Sequence, residues 1–154
     1  MQETDEKWMR VALEHAARAR ALEEVPIGAC VVSENGVLLA AASNRTVVDS
    51  DPTAHAEIIA LRAAAHQIGN YRLVGTTVYS TIEPCAMCAG ALVNARVKRL
   101  VYGADDERFG AVRTQFGIGA SELLNHRFEL ETGVLAEECR GLMKEFFKAR
   151  RGSA

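Results

Sequence analysis

The feature that most constrains this chain is a pair of short runs that must meet in space: His55-Ala56-Glu57 and, about thirty residues later, Pro84-Cys85-Ala86-Met87-Cys88. One imidazole and two thiolates are the donor set of a catalytic zinc site, in which three protein ligands leave the fourth tetrahedral position open for water. Glu57, two residues from the histidine, is then free to act as acid and base beside that water. A closed structural site is the competing reading. It needs a fourth ligand from Cys30, Cys139 or His126, and zinc knuckles are usually built from two close ligand pairs, whereas His55 has no near partner. A thiol redox site would leave His55 and Glu57 without a role.

The chain of 154 residues, 49% hydrophobic and 25% charged, has enough apolar material for one globular domain over residues 1–154. No stretch approaches the apolar length of a membrane span, and the polar, acidic N-terminus is unlike a signal peptide, so a cytoplasmic protein is expected. Cys30 and Cys139, in apolar and helical contexts, read as reduced and buried thiols.

Periodicity places the two runs on secondary structure. An amphipathic helix is expected over about 5–22, then a strand over 25–32, a turn at Asn35-Gly36 and a strand over 37–41. Asp51 and Pro52 have the form of an N-cap and first helical residue, opening a helix to about Ile68 that carries His55 and Glu57 in its first turns. Further strands are expected over 77–81, 99–103 and 127–130, with helices from Pro84 through Val93 and over 136–151. Cysteines three apart on a helix face the same way, and the positive end of the macrodipole favours thiolate. Strands alternating with helices argue for a mixed sheet covered on both faces.

The histidine, glutamate, proline and paired-cysteine pattern is the signature of zinc nucleobase deaminases. Over nearly its full length the chain resembles the bacterial tRNA-specific adenosine deaminases of the cytidine deaminase-like superfamily. The resemblance is carried by Glu24 to Ala29, Asp51 to Glu57, Asn70 to Leu73, Asn125-His126-Arg127 and Phe146 to Arg151. It implies a three-layer α/β/α fold with a mixed five-stranded sheet, one Zn2+ per subunit on His55, Cys85 and Cys88, and a homodimer with active sites close to the interface. It also implies the reaction: hydrolytic deamination of the wobble adenosine of a tRNA anticodon stem-loop to inosine, with release of ammonia. Hydroxide formed on the zinc attacks C6 while Glu57 shuttles protons, first to N1 and then toward the leaving ammonia.

By the same resemblance Asn44 stands where a family asparagine hydrogen-bonds the target base, and Asp106 where an aspartate lies near the target sugar; an ordinary turn asparagine is the other reading of Asn44. Asp105 departs from the basic or neutral residue expected there. A formal charge of −2 lacks the overall basic footprint of a general nucleic-acid binder, so RNA contacts must be local. Arg45, Arg150 and Arg151 are the candidates, with Lys148 and a cluster of Arg96, Lys98 and Arg99; solvated helix ends are the alternative reading. Trp8, Phe146 and Phe147 read as core or interface, with Phe147 also a pocket neighbour by resemblance. The glycine-containing loop over 105–126 is long enough to be a lid or a subunit contact. The motif leaves open a deaminase of a free base or nucleoside, such as guanine or cytosine. A non-catalytic zinc-stabilised RNA-binding subunit is disfavoured by the presence of Glu57.

Overall fold

The computed structural model describes residues 2–152; of the domain span 1–154, Met1, Ser153 and Ala154 lie outside the described residues. Helices and strands run in the order α1 (Gln2–Ala21), β1 (Gly28–Val32), β2 (Leu38–Ser43), α2 (Ala56–Ile68), β3 (Thr77–Ile82), α3 (Ala86–Asn94), β4 (Arg99–Ala104), β5 (Glu129–Thr132) and α4 (Ala136–Gly152). The strands form one mixed sheet in the order β2-β1-β3-β4-β5. Strand β1 is antiparallel to β2 and β3, while β3, β4 and β5 are parallel.

Side chains alternate between the two faces of the sheet, as the pleat requires. Ala29 and Val31 of β1 pack with Ala60 and Leu61 of α2 and Leu92 of α3. The intervening Cys30 and Val32 pack with Trp8, Met9 and Ala12 of α1 and Cys139 of α4. The same division separates Val78 from Tyr79 and Leu100 from Val101, so α2 and α3 cover one face and α1 and α4 the other. This is the expected three-layer α/β/α architecture. Strands β1, β3 and β4 are buried along nearly their whole length on both faces. Cys30 and Cys139 are buried free thiols, and Trp8 and Phe146 are core. Among the described residues no helix is long and apolar enough to cross a membrane.

Several boundaries differ from expectation for local reasons. Strand β1 starts at Gly28 rather than Val25, because Pro26 has no amide to give the ladder and α1 lies so close that a Cβ on Gly28 would strike the Ala12 carbonyl. Strand β5 is shifted to Glu129–Thr132, since Phe128 instead turns into the α2/α3 core and donates its amide to Gly119 O at 3.0 Å. Asp51 and Pro52 do not open α2: the Asp51 carboxylate accepts hydrogen bonds from the amide and hydroxyl of Thr53, at 2.8 and 2.7 Å, in a turn that precedes the helix. Likewise α3 begins at Ala86, not Pro84.

The parallel pairing of β3 and β4 sends both chains out at the same edge of the sheet. Residues 83–85 and the loop beyond 104 therefore leave the sheet side by side, the usual place for a ligand site in an α/β fold.

Candidate active site

The two runs converge at two helix starts. His55 is the N-cap of α2 and Cys85 the N-cap of α3, both with extended backbone (ψ 152° and 177°) and neither using its side chain to cap. Each is thus free to turn its side chain toward the other. Cys88 occupies the third helical position of α3, directly above an N-cap side chain. Cys85 and Cys88 meet through this cap geometry, not through a shared helix face. His55 Nδ1 lies 3.5 Å from Cys85 Sγ and 3.4 Å from Cys88 Sγ, and all three ligand atoms fall within 4.8 Å of one another. Tetrahedral bonds of about 2.0–2.1 Å to nitrogen and 2.3 Å to sulfur put neighbouring ligand atoms roughly 3.6 Å apart, so the group fits a metal ion without rearrangement.

Glu57 completes the cluster. In a regular helix residues 55 and 57 would point about 200° apart. His55 escapes that constraint because it stands before the helix, while Glu57 is in its first turn. The Glu57 carboxyl is buried, beside His55 and within hydrogen-bonding reach of the Cys88 thiol. Burial pushes it up to about 7, against the opposing pull of His55. The Cys88 hydrogen bond and His55 hold the Cys85 thiol down to about 4, and the Cys85 thiolate in turn raises His55. Cys88, sharing that bond and buried, is raised.

Two buried carboxylates that the sequence reading missed organise the loops around this centre. Glu24 accepts hydrogen bonds from Val47 N at 2.9 Å, Val48 N at 2.7 Å, Thr46 Oγ1 at 3.3 Å and Asn44 Nδ2 at 3.4 Å. Asn44 is thus buried and tethered, not an ordinary exposed turn residue. Glu83 binds the loop after β4 in the same manner, accepting from the amides of Asp106, Val112, Arg113 and Thr114 and from the Thr114 hydroxyl. Both acids closely precede a proline, in Glu24-Val25-Pro26 and Ile82-Glu83-Pro84. A charge in such a position was the available signal.

The remaining candidates separate. Asp106 Oδ1 accepts the amides of Arg108 and Phe109, so its carboxylate shapes its own turn. Asp105 pairs with Arg113 at 2.8 Å and accepts the Tyr102 hydroxyl, which offsets the charge at that departure from the family pattern. Arg45 forms two hydrogen bonds to Asp49, both 3.0 Å. Arg150 lies over the Phe146 ring and lines a hollow with Arg20, whereas Arg151 lines a separate groove with Arg108, Arg140, Lys144, Phe147 and Lys148. Arg96, Lys98 and Arg99 do not form a cationic cluster. Arg99 is held by Asp5 within the fold, Arg96 donates to Asn125 O, and Lys98 faces Glu34.

An imidazole and two thiols with a carboxyl beside them are the equipment of the metal-dependent deaminases. The chain belongs to the MafB19-like deaminase family, which it matches over residues 3–151. It is 50% identical over 149 residues to the tRNA-specific adenosine deaminase of Haemophilus influenzae, covering 97% of this chain and 86% of that protein. To the tRNA-specific adenosine deaminase of Bacillus subtilis it is 42% identical over 147 residues, covering 96% and 91%. A structure solved in work on A-to-I editing by tRNA:A34 deaminases at the wobble position of transfer RNA is similar at TM-score 0.85 and 39% identity, covering 88% of this chain and 98% of that one. The guanine deaminase of Nitrosomonas europaea is also similar, at TM-score 0.79 and 28% identity over 92% of this chain and 83% of that one.

Proposed function

We propose that this chain is a single-domain, zinc-dependent deaminase that converts the wobble adenosine of a tRNA anticodon stem-loop to inosine. The observation that carries the chemistry is the buried Glu57 carboxyl beside a His55, Cys85 and Cys88 group spaced for one tetrahedral ion. The similarity to tRNA-specific adenosine deaminases at 42–50% identity supports RNA over a free base.

His55, Cys85 and Cys88 would hold the zinc, which when bound supplies a water activated near neutral pH. With the ion in place, Glu57 would accept a proton from the attacking water and deliver one to ring nitrogen N1 of adenine as the C6–O bond forms. A second transfer through Glu57 protonates the exocyclic amine, the C6–N6 bond breaks, and ammonia leaves with inosine as product. Asn44 binds the target base, and Asp106 lies near its sugar. Arg45, Arg150 and Arg151 contribute to the surface that meets the RNA. The protein acts as a homodimer in the cytoplasm.

The test is incubation of the purified protein with an anticodon stem-loop and, separately, with free guanine, cytosine and adenosine, followed by nucleoside analysis. Inosine in the stem-loop is the expected product. Turnover of guanine or cytosine without inosine in RNA would replace this reading with that of a metabolic deaminase.

A further inference from the structure

The loop that follows β4 is bound to the two residues immediately before a cation ligand. Ala111 N donates to Pro84 O at 2.9 Å, and the Glu83 carboxylate receives five further bonds from residues 106–114. Its Oε1 accepts Asp106 N at 3.1 Å and Thr114 Oγ1 at 2.5 Å; its Oε2 accepts Val112 N at 3.2 Å, Arg113 N at 2.9 Å and Thr114 N at 2.9 Å. The carboxylate is only 3% exposed, and five donors saturate both oxygens. Gly110 lies against it so closely that a Cβ would overlap Glu83 Oε1. Since Cys85 follows one residue later, residues 106–114 are tied to the cation site through three consecutive residues, Glu83, Pro84 and Cys85.

The outer part of this loop bears a different kind of feature. Phe109 is 64% exposed, and the Arg108 guanidinium lies 5.9 Å from its ring centroid. The Asp106 carboxylate fixes the backbone of both residues through their amides, and Gln115 Nε2 donates to Arg108 O at 2.9 Å. An exposed aromatic ring with an adjoining guanidinium on a fixed backbone is a stacking surface for an unpaired base.

We propose that Glu83 is a positioning residue for RNA: its carboxylate docks residues 106–114 onto the cation end of the site so that Arg108 and Phe109 stack on an unpaired nucleotide next to the target. This rests on the anticodon-loop substrate proposed above. A carboxylate is needed because every group facing it is a donor. The amide of Glu83→Gln would turn an NH2 toward two or three of those donors, undocking the loop with little change in volume.

The test is a double-mutant cycle on zinc-loaded protein, measuring the affinity of a fluorescent anticodon stem-loop by anisotropy. Glu83→Gln and the pair Arg108→Ala, Phe109→Ala should each weaken binding on the order of tenfold, and their combination should stay within about threefold of the weaker single variant, because both remove the same contact. Zinc content should remain stoichiometric and kcat at saturating RNA should change by less than about twofold, with the loss in KM. Gly110→Ala, which displaces the loop and leaves the carboxylate in place, should reproduce the affinity loss and serves if Glu83→Gln does not fold. Affinity losses that multiply to about a hundredfold would show that Glu83 acts elsewhere. So would a Glu83→Gln or Gly110→Ala protein that folds and binds RNA like wild type. Binding does not depend on turnover: a wild-type protein that binds the stem-loop without forming inosine defeats the proposed reaction, and the cycle still decides the role of Glu83.

Discussion

Nδ1 of His55 and Sγ of Cys85 stand 3.5 Å apart, each on a residue that opens a helix with extended backbone and leaves its side chain unused as a cap. The three residues that could hold a metal ion are therefore carried by the starts of α2 and α3, while Glu57 lies just inside α2.

Glu57→Gln should keep the metal and the fold and lose turnover by about two to four orders of magnitude, as expected when a general acid–base group is removed. Metal analysis by mass spectrometry, set beside inosine formation, checks this. Near-normal turnover at full metal content would contradict the proton-transfer role.

Removal of the metal should loosen the whole fold, since α2 and α3 belong to one core and the ion ties their starts together. A strong chelator should lower the melting temperature by roughly 10 °C, taking about 4 kcal/mol for a ligand well above its dissociation constant and a chain of this size. Restoring zinc should restore melting. Cys88→Ser should start at the low value and respond to neither treatment.

A pH effect away from the active site follows from Asp5, which anchors α1 to β4. Burial alone would raise its pKa, but two hydrogen bonds to Arg99, at 2.8 and 2.7 Å, and one from the Tyr79 hydroxyl at 2.8 Å leave it lowered. A folded-state pKa below the unfolded value means the carboxylate stabilises the fold fully above about pH 4, and that this contribution fades as pH falls through the lowered value. Asp5→Asn should lose stability at pH 7, by about 3 kcal/mol for a broken buried pair, and show a flatter stability profile between about pH 2 and 5. Denaturant unfolding across that range measures both effects; parallel wild-type and variant profiles would contradict the assignment.

The basic residues of α4 should not act alike. Lys148 and Arg151 share a groove with Arg108, Arg140 and Lys144, whereas Arg150 packs on Phe146 on another side. Lys148→Ala with Arg151→Ala should weaken stem-loop binding and make the plot of log affinity against log salt shallower by about 0.7–0.9 per lost phosphate contact. Arg150→Ala should move that slope less. Equal slopes for both variants would place the RNA on both sides of α4.

The His55, Cys85 and Cys88 group and the strand–helix alternation were legible because residue spacing and side-chain period are local properties. The helix starts were less so. Asp51-Pro52 and Pro84 obey capping statistics, yet the chain delays each helix until the ligand has been passed, because an N-cap with extended backbone lets His55 and Cys85 face each other across the sheet edge. Glu24 and Glu83 were missed because their partners are mostly backbone amides from distant loops, and amides carry no residue-specific signal. The apparent basic run at Arg96, Lys98 and Arg99 failed for the opposite reason: one member had its partner 94 residues away, at Asp5.

Glu24 and Glu83 saturate themselves with donors from the loops on either side of the cation group, so both walls of the site are set before any ligand arrives. Loops tied down through so many bonds rearrange little on binding. The bending then belongs to the nucleic acid, which must swing the reacting nucleotide out of its stack to meet a socket that is already shaped. Selectivity among RNAs would accordingly follow how readily each loop opens, as well as which bases it displays.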